Sequence, residues 1–259
     1  MSRRLAALVA VLVAIGTGCN VDVHVDVVVA DDGAGEVRVG VGLDEAAAAR
    51  VPQLADQLEV GDLVAAGWAV TGPVVEADGR TWLRAAKPFA SVEAASAVLD
   101  EVSGADGPFG DLAVRRAPSL LQDRWHVDGT VDLTGGLAAF SDEGLRARLD
   151  GTDVGLSDEE LAAEAGVPLE EAVTFSVAVD LPGEVRSNGE NGVSRAVWRP
   201  VLGQALDVTA TGSRLHTTVA VLLGVAATAA VALVLLLARR RRRRGPSGRE
   251  RRVVGTVGR

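Results

Sequence analysis

From Thr217 to Ala238 the chain runs 22 residues without a charge, built mostly from Val, Leu and Ala and interrupted only by Gly224 and Thr228. A helix of that length crosses the ~30 Å hydrocarbon core of a bilayer and satisfies its backbone groups internally. A helix buried in a soluble core could be as apolar, but the flank argues against it: Arg239 to Arg244 follow at once, six cations in a row. Such a block beside a span marks the cytoplasmic side. The reading is a single-pass cell-membrane protein with a transmembrane helix at 215–238 and a cytoplasmic basic tail at 239–259 lying against anionic head groups. Everything before the helix is then extracytoplasmic.

The N-terminus agrees with that orientation. Arg3 and Arg4 precede an uncharged run from Leu5 to Ile15, followed by Gly16, Thr17, Gly18 and Cys19, the layout of a secretory signal over 1–18. Eleven apolar residues reach only about 17 Å, too short to span. Cys19 is the sole cysteine, so it has no intramolecular disulfide partner. Its setting resembles a bacterial lipobox, in which the cysteine is diacylated, although Gly16 stands where an aliphatic residue is usual. Lipidation of Cys19 is the expectation.

Charge separates the segments further. Between Cys19 and Leu237 there are 14 basic and 34 acidic residues, a net charge of −20. Nucleic acid is excluded as a partner, since phosphate contacts need clustered cations on the domain.

The region 19–214 suits one domain. Val21 to Val27 alternates valine with Asp22, His24 and Asp26, a half-buried strand. A turn at Asp31–Gly35 and a second alternating run, Glu36 to Val41, complete a hairpin. Glu45 to Ala66 has helical spacing broken by Pro52 and Gly61. A second hairpin (67–75 and 81–84, turning at Asp78-Gly79) precedes a helix opened by Ser91 and reaching Ser103. A third strand pair falls at 112–116 and 124–133, and helices are expected at Leu137–Leu149 and from Ser157 to Ala165. Strands return at 173–179, 193–198 and 205–211, around a turn-rich stretch from Pro182 to Gly192. Hairpins followed by helices argue an α+β fold, a curved antiparallel sheet or partial β-barrel decorated by helices.

The C-terminal third carries Leu181-Pro182-Gly183-Glu184-Val185, Asn188-Gly189, Val197-Trp198-Arg199-Pro200 and Leu206-Asp207-Val208-Thr209-Ala210. These segments, together with the signal, the span and the basic tail, resemble the LppM family of actinobacterial lipoproteins. The resemblance implies a helix-decorated β-barrel outside the membrane and an association with envelope lipids. Pro182, Gly183, Asn188, Gly189 and Trp198 also have a purely structural explanation: turns at the first four and a core position for the tryptophan.

Catalytic chemistry is sparse. His24, His126 and His216 are scattered, no second histidine or cysteine stands at metal-ligand spacing, and neither a nucleophile elbow nor a phosphate loop is present. No enzyme activity, metal or cofactor is expected. The leading expectation is a non-catalytic domain that holds an envelope phospholipid or glycolipid by burial, with Trp68, Trp82 and Trp125 as possible cavity lining. The alternative is a scaffold or sensor that binds a protein partner.

Overall fold

The computed structural model describes residues 20–50, 60–103, 107–109, 111–136 and 168–243. The signal segment, Cys19, the expected helices at 137–149 and 157–165, and the tail beyond Arg243 lie outside the described residues. The chain divides at Arg214–Leu215 into two units, each described by itself.

In the first unit, β1 (Val21–Val29) and β2 (Gly35–Leu43) form the expected hairpin, antiparallel from Val21↔Leu43 to Val29↔Gly35. The short helices α1 (Glu45–Arg50) and α2 (Val60–Ala65) follow, then β3 (Ala69–Val75), β4 (Thr81–Phe89) and α3 (Val92–Ser103). Asp44 caps α1 through Oδ1, which accepts from the Ala47 N–H at 2.8 Å. Next come β5 (Ala113–Pro118), β6 (Gln122–Asp132), α4 (Leu169–Ala172), β7 (Val173–Asp180), β8 (Glu184–Ser187), β9 (Glu190–Asn191), β10 (Arg195–Trp198) and β11 (Ala205–Leu215).

The strands make two sheets, β3-β4-β2-β1-β7-β10-β9 and β5-β6-β11-β8. The fold class is α+β with mostly antiparallel sheets, as expected, and three details refine it. Pairing is not antiparallel throughout, because β1 and β7 run parallel from Val21↔Val173 to Val28↔Asp180. No closed barrel forms among the described residues, since β3, β9, β5 and β8 are sheet edges. The turn-rich stretch from Pro182 to Gly192 contains two short strands, β8 and β9.

Alternation explains the packing. Val21, Val23, Val25, Val27 and Val29 are all buried, as are Val37, Val39, Val41 and Leu43 on β2 and Val173, Phe175, Val177 and Val179 on β7. The smaller sheet contributes Trp125, Val127, Val131, Val185, Val208 and Ala210 to the same core, and α3 adds Ala95, Val98, Leu99 and Val102. Each large aliphatic side chain so buried contributes about 1.5–3 kcal/mol relative to exposure.

The second unit is α5 (Thr217–Arg243), which begins as expected but runs on into the arginine block. Residues 217–240 are long and apolar enough to cross a membrane, and none of that stretch is buried.

Candidate functional site

One sheet face is committed to the core, which leaves the opposite face of β1–β4 to solvent. The strand registers set two adjacent rows across it. The first is Thr71–Arg84–Gly40–His24, and the second is Ala69–Ala86–Arg38–Asp26. These eight residues, with Val39 and Ala85, line an open groove of about 440 Å³. The groove exists because the first row has a glycine at its centre and the second has two alanines, so the polar side chains stand around a low floor.

Trp82 walls this face. Its ring lies beside the two glycines of β2: a Cβ added at Gly42 would meet the ring at 2.7 Å, and one at Gly40 would meet it at 3.4 Å. The indole Nε1–H donates to Asp78 Oδ2 at 3.0 Å, the His24 ring lies 4.9 Å from the indole, and the Arg84 guanidinium sits 4.4 Å from its centroid. A cation at that distance over tryptophan is attracted by the ring quadrupole.

The charges in the groove are largely balanced in place. Arg84 is held by both carboxylate oxygens of Glu76, and Arg38 by Glu36. Asp26 accepts from Arg195 Nη2 at 2.7 Å, and the same guanidinium binds Asp180, which ties β1, β7 and β10 together. Burial holds the His24 imidazole below its ordinary pKa, with Arg84 and Arg195 acting in the same direction and Asp22 and Asp26 opposing them. At neutral pH it is therefore an uncharged donor and acceptor. Carboxylate, guanidinium, imidazole and hydroxyl groups thus stand side by side over an apolar floor. Such a surface suits a ligand that offers several donors and acceptors together better than it suits a bare anion, for which both arginines would have to leave their carboxylates.

The tryptophans singled out as possible cavity lining are placed differently from one another. Trp68 packs in the core and donates from Nε1 to Glu101 Oε2 at 3.0 Å, where Lys87 Nζ also binds Glu101. Trp125 is fully buried in the same core, and its Nε1 has no hydrogen-bond partner. Trp82 alone lies on the groove side, as a buried wall. The segments between Leu181 and Ala210 form a clasp. The Trp198 Nε1–H donates to Asn188 Oδ1 at 2.8 Å, that oxygen also accepts from the Thr209 N–H at 3.0 Å, and Asn188 Nδ2 donates to the Asp207 carbonyl at 2.8 Å. Gly183 turns at φ 86° against the Ser213 carbonyl, and a Cβ on Gly189 would sit 2.7 Å from Trp198 Nε1. These contacts account for the residue types at Gly183, Asn188, Gly189 and Trp198.

Asp26, His24, Arg38, Thr71 and Arg84 were not singled out from the sequence as a site. The available signal was the glycine pair Gly40 and Gly42, which alternates with buried valines and marks a face where something large comes close.

No protein-family model and no curated protein matches the chain. Among solved structures, the chain is similar to the folded domain of LppM from Mycobacterium tuberculosis, determined by NMR, with a TM-score of 0.41 at 11% identity, covering 79% of this chain and 95% of that one.

Proposed function

We propose that the chain is a non-catalytic cell-envelope lipoprotein whose extracytoplasmic domain receives the polar head group of an envelope lipid in the groove over Gly40. The observation that carries the membrane part is α5: Val221, Leu222, Val225, Val231 and Leu233 to Leu236 are all exposed on one uninterrupted helix. Water would make so long an apolar surface costly, and a bilayer removes that cost. Acyl groups on Cys19 would add a second tether, although a spanning helix is by itself effectively permanent. Arg239 to Arg244 keep the C-terminal side in the cytoplasm.

The groove revises the kind of recognition expected from the sequence. The apolar faces of both sheets pack on one another, so the ligand meets hydrogen-bonding side chains instead of a valine-lined interior. A polyhydroxylated head group fits best, donating to Asp26 and accepting from Arg38 and Arg84, with Thr71 able to do either, while its less polar face rests on Ala69, Ala86 and Gly40.

Titration of the full-length chain in phosphatidylcholine nanodiscs with glycerophosphoinositol, glycerophosphoglycerol and oligosaccharide glycosides, followed by tryptophan fluorescence, tests this reading. A saturable response that is lost in Gly40→Leu, which fills the groove, and weakened in Arg84→Ala is expected. No saturable response, or a Gly40→Leu variant that binds as the parent does, would make the protein-binding scaffold the better reading. Topology is tested in spheroplasts: external protease should digest the domain and spare a tag on the tail.

A further inference from the structure

The hairpin β5–β6 ends in a short loop whose two central residues, Leu120 and Leu121, are 72% and 45% exposed. The loop is well held. The Ser119 N–H donates to the Gln122 carbonyl at 3.0 Å, the Ser119 hydroxyl donates to the same oxygen at 2.5 Å, and the Gln122 N–H returns a bond to Ser119 Oγ at 3.2 Å. Strand pairing reaches Pro118↔Asp123, so the two leucines are presented by a closed turn. Adjacent exposed leucines in an acidic domain carry a hydration cost that the fold does nothing to relieve.

Their position in the fold suggests what relieves it. β6 lies beside β11, with the Leu133 N–H donating to the Gln204 carbonyl at 2.9 Å and Thr130 Oγ1 donating to Asp207 Oδ1 at 3.1 Å. Those two contacts run the strands antiparallel, which puts the start of β6, and with it the leucine turn, at the end of β11 where the chain leaves the domain. Thr217, the first residue of α5, follows Arg214 by three positions. The β1–β2 turn is at the same end, since Arg116 Nη1 donates to the Asp32 carbonyl at 2.5 Å and Arg214 pairs with Asp31. Three arginines, Arg115, Arg116 and Arg124, flank the turn; Arg115 pairs with Asp128 and Arg116 with Asp123, and Asp31 and Asp32 of the β1–β2 turn lie at the same end.

We infer that the Leu120–Leu121 turn inserts into the interfacial layer of the same bilayer that α5 crosses, with its flanking arginines at the level of anionic phosphates, and so holds the domain down on the membrane surface. The inference rests on the membrane reading of α5 but not on the groove. Leucine side chains partition into the head-group boundary while arginines remain in its polar layer, which is the pattern of an interfacial anchor. A chain that exits the domain beside the turn keeps this end within reach of the bilayer, so the second contact needs no search through solution.

The test uses the full chain in a Cys19→Ser background, with an environment-sensitive fluorophore on Leu121→Cys, or in a second preparation on Leu120→Cys, reconstituted into vesicles of phosphatidylcholine with phosphatidylglycerol. The control site is Val75→Cys, which is 69% exposed and lies at the other end of the larger sheet. Doxyl-labelled lipids should quench the leucine-site labels about threefold or more beyond the Val75 label, since an interfacial anchor sits ~5–10 Å into the boundary. Equal quenching at both ends overturns the inference, as does a leucine-site label shielded from aqueous iodide yet untouched by doxyl lipid, which would mean that protein covers the turn. Failure of the chain to float with the vesicles would refute the membrane reading of α5 itself, and the two failures are therefore distinct.

Discussion

Gly42→Ala and Gly40→Ala are the same chemical change two residues apart on one strand face, yet opposite outcomes are expected. In a strand that any residue can adopt, glycine to alanine stabilises by about 0.4–1 kcal/mol through the unfolded chain. At Gly40 the new methyl group would meet Trp82 Cζ3 at 3.4 Å, Cε3 at 3.6 Å and Arg84 Cγ at 3.7 Å, which is ordinary contact. At Gly42 it would meet three ring atoms of Trp82 at 2.7 to 2.8 Å. The ring cannot simply swing away, because Asp78 holds its Nε1 and His24 and Arg84 flank it. Overpacking of this kind costs about 1–3 kcal/mol, which leaves Gly42→Ala roughly 1–2 kcal/mol less stable than the parent and Gly40→Ala equal to it or slightly better. Urea unfolding of the full-length chain in detergent micelles, followed by tryptophan emission, reads the difference as a midpoint shift of about 0.5–1 M for a slope near 2 kcal/mol/M. The decisive control is a double-mutant cycle: in a Trp82→Ala background the Gly42→Ala penalty should disappear, a coupling of about 1 kcal/mol or more. Equal midpoints for the two glycine variants, or a penalty that persists without Trp82, would show that the glycines are not there to seat that ring.

Domain stability should fall as pH drops below about 6.5, where an unfolded imidazole takes up a proton that folded His24, with its lowered pKa, still refuses; the unfolded state then binds more protons. His24→Gln should flatten that part of the profile, measured as urea midpoints at pH 7.5 and 5.5. Gly183→Ala places a Cβ 2.0 Å from the Ser213 carbonyl at a φ of 86° and should cost about 2–4 kcal/mol, whereas Gly203→Ala, at φ 80° in open space, should cost only about 1 kcal/mol in the same assay. Trp68→Phe should be about 1–2 kcal/mol worse than Trp125→Phe, because the first loses a hydrogen bond to the Glu101 carboxylate and the second removes a buried donor that has no partner; equal losses in thermal unfolding would count against this.

Features that depend on neighbours along the chain are legible in the residues alone. The long apolar helix α5 follows from an uncharged stretch of Val, Leu and Ala. The two faces of β1 follow from alternation, since Asp22, His24 and Asp26 must point away from the valines beside them. The hairpins β1–β2, β3–β4 and β5–β6 follow from turns a few residues long. Which faces meet depends on strands brought together from distant parts of the chain. The parallel pairing of β1 with β7 joins segments about 150 residues apart in the chain, and no local pattern names that partner. The groove depends on the register that sets Gly40 between His24 and Arg84, and one residue of slip would turn every one of those side chains into the core. The tryptophans looked alike as large aromatics on strands or at strand starts, yet their surroundings separate them: Trp125 faces the sheet that shares its core, while Trp82 sits one strand from two glycines that leave room for it on the other side. Periodicity says only that a residue points up or down from its own strand; what it then touches is set by strands that arrive from elsewhere in the chain.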